Sequence, residues 1–486
     1  MLSLRESNRS RQHGGRSVRL CDGVSRREWM RIGSLGLFGL SLPSLLRSRG
    51  LGSAGLSADD ETRVEEVLRS GKAKSCILLF LLGGPPQHST WDPKPQAGAD
   101  IRGAYGPMST SVPGTQFCEL LEKTSRFADR LAVLRAVQTG DHAHSSSGYA
   151  MLTGMPHQPL NRENANPGAP NDWPTIGAVV QHLHQGRRVL PPSIRLPHHI
   201  FNTDQSVWPG QNSGWLGAAD DPWLYRCEPN TAGFQTPDFQ LPVDVPLDRF
   251  ESRTSLLKTL DERLRSLERT GTFESFDRQS QQAFDLLTSR ESFAACDLTK
   301  ESDGNRDRYG RTQFGQSVLM ARRLIEAGVS LVQVNWFRGP EEPSDAPCWD
   351  SHSNETPRLK EVLVPPFDQA FAALLEDLEE RGMLEETLVI AMGEFGRTPK
   401  FNPRGGRDHW GHVFSLAMAG GGIRGGVVHG ASDNQGAYPL EGIVTPADFT
   451  ATLYHCLGYS ADTRITDPLG REFPISRGQV VREVLG

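Results

Sequence analysis

Runs of apolar residues separated by amphipathic stretches predict an α/β protein. Unbroken apolar runs are typical of parallel strands that are buried on both faces of a sheet. Two such runs occur in the chain, Cys76–Leu82 and Leu388–Met392, and three mainly apolar runs resemble them: Leu131–Val137, Val329–Val334 and Phe414–Ala419. Because helical patterns alternate with several of them, we expect a mainly parallel central sheet flanked by helices.

Apolar residues at helical spacing predict the helices of this fold. Phe314, Val318, Ala321 and Ile325 would share one face of a helix that ends at Gly328. The other predicted helices are Tyr149–Leu152, Pro366–Arg381, Thr445–Leu457 and a long one marked by Leu256, Leu260, Leu264 and Leu267. Residues from about 156 to 248 are rich in Pro, Asn, Gly and Trp, which predicts a loop-rich insertion over one rim of the sheet.

The N-terminal segment has the order of features found in twin-arginine export signals. Arg26-Arg27 precedes the apolar stretch Ile32–Leu46, which is interrupted only by Gly, Ser and Pro. The alternative is a chance arginine pair before an amphipathic helix. The stretch is too short for a stable membrane span. We therefore expect a signal region at 1–50, a linker at 51–72, a folded domain at 73–486, and export by the twin-arginine machinery to the periplasm or beyond.

Charge narrows the range of partners. The chain has a net charge of −6, and its first 50 residues carry ten Arg and three acids, so the remainder carries −13. A domain that acidic argues against nucleic acid or anionic lipid as the principal partner. The seven cysteines include no Cys-x-x-Cys pair, which excludes a zinc ribbon.

Polar clusters follow the predicted strands, and ligands of such sheets bind beyond the carboxyl ends of the strands. Imidazole and carboxylate groups together suit zinc or manganese, or calcium if oxygen ligands dominate. The candidate ligands of a divalent metal are His88, Asp92, His142, Asp350, His352, Glu394, Asp408 and His409. We expect the fold to bring them into one pocket.

Each candidate also has an ordinary structural alternative. Asp350 and His352 could be loop hydrogen-bonding residues, and Glu394 could form a salt bridge with Arg397 or Arg407. His88 and Asp92 stand beside a possible Asx turn. For the pair His142 and His144, at the start of a helix, metal binding, anion binding and simple capping by Asp141 or Ser145 all stay open.

Several motifs resemble those of known proteins. Ser146–Gly154 resembles the nucleophile helix of sulfatases, which ends in the same Leu-Thr-Gly. Gly83–Pro85, Trp91–Pro95, Met392–Pro399 and Gly406–Trp410 together resemble domain-of-unknown-function family 1501, which is similar to the alkaline phosphatase and sulfatase superfamily. The resemblance implies an alkaline phosphatase/sulfatase-like fold.

The chain departs from the sulfatase pattern at the reactive positions. The nucleophile position falls at His144, with Ser145 as a displaced neighbour, and the Pro and Arg that normally follow are absent. Leu82-Gly83-Gly84 stands where a metal-binding Asp usually ends the first strand, so His88 or Asp92 would have to substitute. Glu394 and Gly396 take the place of a late Asp-His pair.

Two functions follow. The first is a metal-dependent hydrolase of sulfate or phosphate esters, of small molecules or polysaccharides. In it, His144 or Ser145 would be the nucleophile or base, and Arg397 or Arg407 would contact the ester oxygens. The second is a non-catalytic sulfatase-like protein, whose tryptophan-rich insertion would bind a polysaccharide or a protein partner.

Overall fold

The structure is a computed structural model that describes residues 71–184, 189–231, 234, 289–336 and 348–486. The signal region, nearly all of the linker and the predicted helix around Leu256–Leu267 lie outside these residues. No helix within the described ranges is long and apolar enough to cross a membrane.

An eight-stranded sheet forms the centre of the fold. Its strands, in chain order, are β1 (Ser75–Phe80), β4 (Leu131–Val137), β5 (Ser193–Leu196), β6 (Trp223–Leu224), β7 (Leu331–Asn335), β8 (Thr387–Met392), β11 (Phe414–Ala419) and β12 (Val427–His429). Across the sheet they lie in the order β12-β4-β11-β8-β1-β7-β5-β6. Seven strands run parallel, and β11 alone runs antiparallel to its neighbours β4 and β8.

Short two-stranded ribbons complete the strand set. They pair β2 (Pro107–Ser109) with β3 (Gln116–Cys118), β9 (Gly396–Arg397) with β10 (His409–Trp410), β13 (Ala431–Ser432) with β14 (Pro439–Glu441), and β15 (Arg464–Thr466) with β16 (Glu472–Pro474).

The centre of the sheet is covered on both faces. Successive side chains of a strand point to opposite faces, and every residue of β1 and β8 is buried. In register, Cys76 of β1 lies between Leu331 of β7 and Leu388 of β8. The unbroken apolar runs therefore correspond to central strands, and the predicted mainly parallel α/β architecture is confirmed.

Helices connect and cover the strands. They are α1 (Ala99–Arg102), α2 (His144–Thr153), α3 (Ile176–Leu183), α4 (Arg290–Cys296), α5 (Asp303–Tyr309), α6 (Gln313–Glu326), α7 (Glu355–Arg358), α8 (Val364–Glu380) and α9 (Pro446–Cys456). Helix α6 packs on β7 and β1, α8 packs on α6, and α2 packs on α9. Thr445 caps α9 in a reciprocal capping box with Asp448. The helices predicted in the last third are confirmed.

The predicted insertion at about 156–248 needs correction. Its described part is rich in loops, but it also supplies α3 and the strands β5 and β6 of the central sheet. Strand β5 has only four residues and lies between Pro192 and Pro197. Four residues between prolines, two of them polar, cannot be distinguished from a loop by sequence, and pairing with β7 makes them a strand.

The direction of β11 decides which residues reach the edge where the other strands end. Phe414, at the start of β11, pairs with Val137, the last residue of β4. The segment that leads into β11 therefore lies at the carboxyl ends of the parallel strands. That segment contains β10, with His409 and Trp410.

Candidate metal centre

Asp350 lies at the centre of a cluster of imidazoles at this edge. Its Oδ1 is 3.1 Å from Nε2 of His409 and 3.0 Å from Nε2 of His352. Its Oδ2 is 3.1 Å from Nε2 of His144. Arg397 donates to Oδ1 at 2.7 Å. Three Nε2 atoms and one carboxylate thus converge from three segments of the chain that are far apart in sequence.

The other nitrogen of each ring is held by an acceptor. Nδ1 of His144 lies 2.7 Å from Oε1 of Glu394, and Nδ1 of His352 lies 2.7 Å from Oδ1 of Asp408. Nδ1 of His409 lies 2.7 Å from the carbonyl oxygen of His142. A ring that donates from Nδ1 presents the lone pair of Nε2, and metal-binding histidines in proteins are oriented in this way.

The inward-facing nitrogen atoms suit a cation. His144 Nε2 is buried and has no hydrogen-bond partner, because its 3.1 Å approach to Asp350 lacks the alignment of a hydrogen bond. The Nε2 atoms of His352 and His409 face each other at 2.9 Å. His144, Asp350 and His409 each offer one donor atom, and these three atoms all lie within 4.8 Å of one another. Imidazoles with a single carboxylate are a zinc-type donor set.

When no cation is bound, the protonation of His144 governs the charge at the centre of the cluster. Burial alone would lower the pKa of His144, but the carboxylates of Asp350 and Glu394 raise it to about 9. Burial and the charge of His144 lower the pKa of His409 to about 3. Burial opposes ionisation of Asp350, yet His144 and Arg397 hold its pKa well below the usual range. A proton on His144 therefore occupies the place that a metal would take.

Two candidate metal ligands, Glu394 and Asp408, lie one hydrogen bond behind the cluster. Glu394 is fully buried, and it accepts from the backbone N–H of Gly83 at 2.9 Å as well as from His144. Asp408 accepts from Asn402 at 3.1 Å and from His352. Both carboxylates are thus placed to orient imidazoles.

The arginines proposed to contact an ester are buried and engaged within the protein. Arg397 has no exposed surface and, besides Asp350, donates to the carbonyl oxygens of Gly83, Gly84, Trp349 and Arg407. Arg407 is equally buried and pairs with Glu355 at 3.0 Å. Their guanidinium groups hold the loops of the edge together, and neither faces an open anion site.

Loop residues occupy the N-terminus of α2, so it is not open to an anion. The backbone N–H of His144 donates to Glu163 Oε1 at 2.9 Å, and that of His142 donates to Asn161 Oδ1 at 2.7 Å. The Ser145 hydroxyl is buried; it donates to the carbonyl oxygen of Arg162 at 2.9 Å and accepts from Ala165 N–H at 3.0 Å. Ser145 is therefore not placed as a free nucleophile. His142 contributes its carbonyl to His409, and its Nδ1 accepts from Gly411 N–H at 3.1 Å.

His88 and Asp92 are not brought into the imidazole cluster. His88 is buried and its Nε2 donates to the carbonyl oxygen of Gln435 at 2.7 Å; burial and Arg407 lower its pKa to about 3. Asp92 accepts from the Ser432 hydroxyl at 2.5 Å and pairs with Lys94 at 2.9 Å. Both residues fasten the segment Ser432–Tyr438.

Two residues of the site were not assigned from sequence. Phe395 stacks on His409 with ring centroids 4.5 Å apart and also contacts His144 at 4.9 Å. Its position inside the Gly-Glu-Phe-Gly-Arg motif was the available signal. Glu163 Oε1 lies 3.6 Å from His409 Nδ1 and binds the backbone of His144, but it stands in a loop without any pattern.

A family described as "Protein of unknown function (DUF1501)" matches residues 73–485 of the chain. No curated protein matches it.

The solved structures to which the chain shows a distant likeness include sulfatases and a phosphonate monoester hydrolase. The PsFucS1 sulfatase from Pseudoalteromonas sp. is 13% identical, with a TM-score of 0.38, over 84% of this chain and 73% of that one. The phosphonate monoester hydrolase of Agrobacterium radiobacter is 13% identical, with a TM-score of 0.36, over 84% and 77%. Ps i-CgsB in complex with k-i-k-neocarrahexaose is 13% identical, with a TM-score of 0.37, over 79% and 72%. A likeness at this level carries no argument about this chain.

Proposed function

The chain belongs to the DUF1501 family, as its motifs indicated, and from that premise we propose that it is an exported, divalent-metal-dependent hydrolase of sulfate or phosphate esters. The observation that carries the proposal is the convergence of three imidazole Nε2 atoms on Asp350, each ring being fixed by an acceptor on Nδ1. The proposed route to the periplasm or beyond rests on Arg26-Arg27 and the apolar stretch after it.

The proposed ligands are His144, His352, His409 and Asp350, with zinc as the metal that best suits them. A bound divalent ion would polarise a sulfuryl or phosphoryl oxygen of the ester. Glu394 keeps the His144 ring in place, and Phe395 packs against the rings of His144 and His409. Because the Ser145 hydroxyl is engaged, we propose water as the nucleophile rather than a side chain at the start of α2.

The test combines metal analysis with turnover. Purified full-length protein is expected to bind one equivalent of zinc and to hydrolyse 4-nitrophenyl sulfate or 4-nitrophenyl phosphate. His409→Ala should retain less than about a tenth of the zinc and of the activity, since it removes a ligand. His455→Ala, at the end of α9, is the matched control and should retain both. Zinc-free, inactive wild-type protein would refute the proposal.

One observation favours a second function, a non-catalytic protein that binds metal together with a polysaccharide or protein partner. The residues predicted to attack or bind an ester already form hydrogen bonds or ion pairs within the protein; they are Ser145, Arg397 and Arg407. The same experiment separates the two functions. One bound metal without turnover of either ester would support the binding protein.

A further inference from the structure

A short loop at residues 161–165, here called the clasp, closes over the N-terminal end of α2. Asn161 Oδ1 accepts from the backbone N–H of His142 at 2.7 Å, and Glu163 Oε1 accepts from that of His144 at 2.9 Å. Backbone N–H groups at a helix N-terminus have no partner within the helix, and the clasp supplies acceptors at this one. It therefore bonds to the two histidines of this turn that contact the metal cluster.

Two serines at the start of α2 hold the clasp in return. Ser145 Oγ donates to the carbonyl oxygen of Arg162 at 2.9 Å and accepts from Ala165 N–H at 3.0 Å. Ser146 Oγ accepts from Arg162 N–H at 2.9 Å. Both serines are fully buried. Because hydrogen bonds run in both directions, the clasp and the first turn of α2 form one unit, and these bonds account for both hydroxyls without a catalytic role.

Glu163 of the clasp also approaches a proposed metal ligand. Its Oε1 lies 3.6 Å from Nδ1 of His409, the ring nitrogen that does not face the metal cluster. The hydrogen bond of that nitrogen goes to the carbonyl oxygen of His142 at 2.7 Å. Glu163 therefore acts on the His409 ring through its charge and on the His144 backbone through a hydrogen bond.

The other two rings of the proposed ligand set have the same arrangement. In each case a carboxylate oxygen lies at most 3.6 Å from Nδ1, and the pairs are His144 with Glu394, His352 with Asp408 and His409 with Glu163. A carboxylate behind a ligand imidazole raises its basicity and the affinity for metal. The Glu163 side chain is 47% exposed, so solvent and salt should make its effect smaller than that of fully buried Glu394.

We infer that Glu163 is a positioning residue of the metal centre, which favours a divalent ion on His409 by its charge and holds His144 through the backbone. The inference rests on the proposed function, since it concerns the same metal centre. An ion at Nε2 withdraws electrons from the imidazole and makes the opposite side of the ring more positive. A carboxylate 3.6 Å from Nδ1 offsets that positive charge.

Glu163→Gln separates the two contacts, because the amide keeps an oxygen for the His144 N–H and removes only the charge. Titration of the full-length chain with zinc against a chromophoric chelator should give a Kd about three- to tenfold above that of the wild type at about 0.02 M salt. At about 0.5 M salt the ratio should fall below about twofold, because ions screen a half-exposed charge. A purely structural role would give no such salt dependence.

Glu385→Gln is the matched control. Glu385 is exposed and directly precedes β8, at the edge of the sheet opposite the metal centre. This variant should bind zinc as the wild type does at both salt concentrations. Thermal unfolding of the metal-free protein checks that the variants are folded.

The zinc Kd distinguishes failure of this inference from failure of the proposed function, since it needs no turnover. Salt-sensitive weakening in Glu163→Gln would support the role of Glu163 even if the wild type hydrolysed neither ester. Equal Kd values for wild type and Glu163→Gln at low salt would overturn it and leave the hydrolase proposal standing. A weakening that does not change with salt would also overturn it. Wild-type protein that binds no zinc would overturn both.

Discussion

At the residue scale, the metal site is defined by which nitrogen of each histidine faces inward. His144, His352 and His409 each bond through Nδ1 to an acceptor, namely Glu394, Asp408 and the His142 carbonyl. His88 is buried as His144 is, but its Nε2 donates to the Gln435 carbonyl oxygen. The same residue type therefore serves as a metal-ligand candidate in one case and as a loop anchor in the other.

Glu394→Gln should weaken zinc binding by about 10- to 100-fold, because removing the charge behind a ligand imidazole lowers its basicity and loosens its orientation. The amide keeps an oxygen for the Gly83 N–H, so the fold should survive. Chelator competition measures the zinc Kd. Glu441→Gln, on the exposed hairpin strand β14, is the control and should bind zinc as the wild type does. Equal affinities for both variants would contradict the role of Glu394.

The raised pKa of His144 predicts that the stability of the metal-free protein decreases with pH, whereas the affinity for zinc increases with pH. This raised pKa stabilises the metal-free protein fully below the unfolded-state value near 6.5, and this contribution is lost as the pH rises through about 9. Zinc must displace that proton, so its affinity should increase with pH up to about 9. The increase in Tm caused by zinc should therefore grow between pH 6.5 and 8.5. A constant increase across this range would show that His144 is not a ligand.

At the element scale, buried ionic contacts fix how the helices of the last third pack. Arg322 of α6 is fully buried, with Nε 2.9 Å from Asp377 of α8 and Nη2 2.8 Å from Glu301. These two groups lie at ion-pair distance without hydrogen-bond alignment, and Nη1 donates to Glu326 at 2.7 Å. Tyr309 of α5 donates to Asp377 at 2.9 Å. The network joins α5, α6 and α8 away from the metal centre.

Arg322→Met should lower the free energy of unfolding by about 1–3 kcal/mol, because buried Asp377 loses one of its two cations and keeps only the ion pair with Arg381 at 2.7 Å. Denaturant titration of the metal-free protein measures this loss. In the double variant Arg322→Met, Asp377→Leu, the buried carboxylate is removed as well, and part of the stability should return. A loss below about 1 kcal/mol in the single variant would show that the pair contributes no more than an exposed salt bridge.

At the scale of the whole molecule, the sheet topology assembles the site. Parallel strands β1, β4, β7 and β8 end at one edge, and the chain after them supplies Gly83, His144, Asp350 and Glu394. Antiparallel β11 begins at that edge, so His409 approaches it from the opposite direction along the chain. The resulting contacts join atoms as distant in sequence as Gly83 and Glu394, 311 residues apart.

The sequence alone determined the layered architecture and the place of the site. A short, mainly apolar run bounded by turn residues is typical of a strand inside a sheet, and the predicted runs Leu131–Val137 and Phe414–Ala419 match β4 and β11 residue for residue. The sequence could not predict short elements, because the four residues of β5 between prolines carry too little pattern.

Only the tertiary structure decided what each polar residue does. Imidazoles and carboxylates are equally able to bind a metal, to anchor a loop or to fix another ring, and the outcome depends on partners hundreds of residues away. His409 is oriented by a carbonyl 267 residues earlier, and His88 by one 347 residues later. Arg397 and Arg407 are buried and connect several loops, because their guanidinium groups donate to the carbonyl oxygens of those loops. The local sequence shows which chemical groups are present, whereas the packing of all the segments at this edge of the sheet decides where each side chain points.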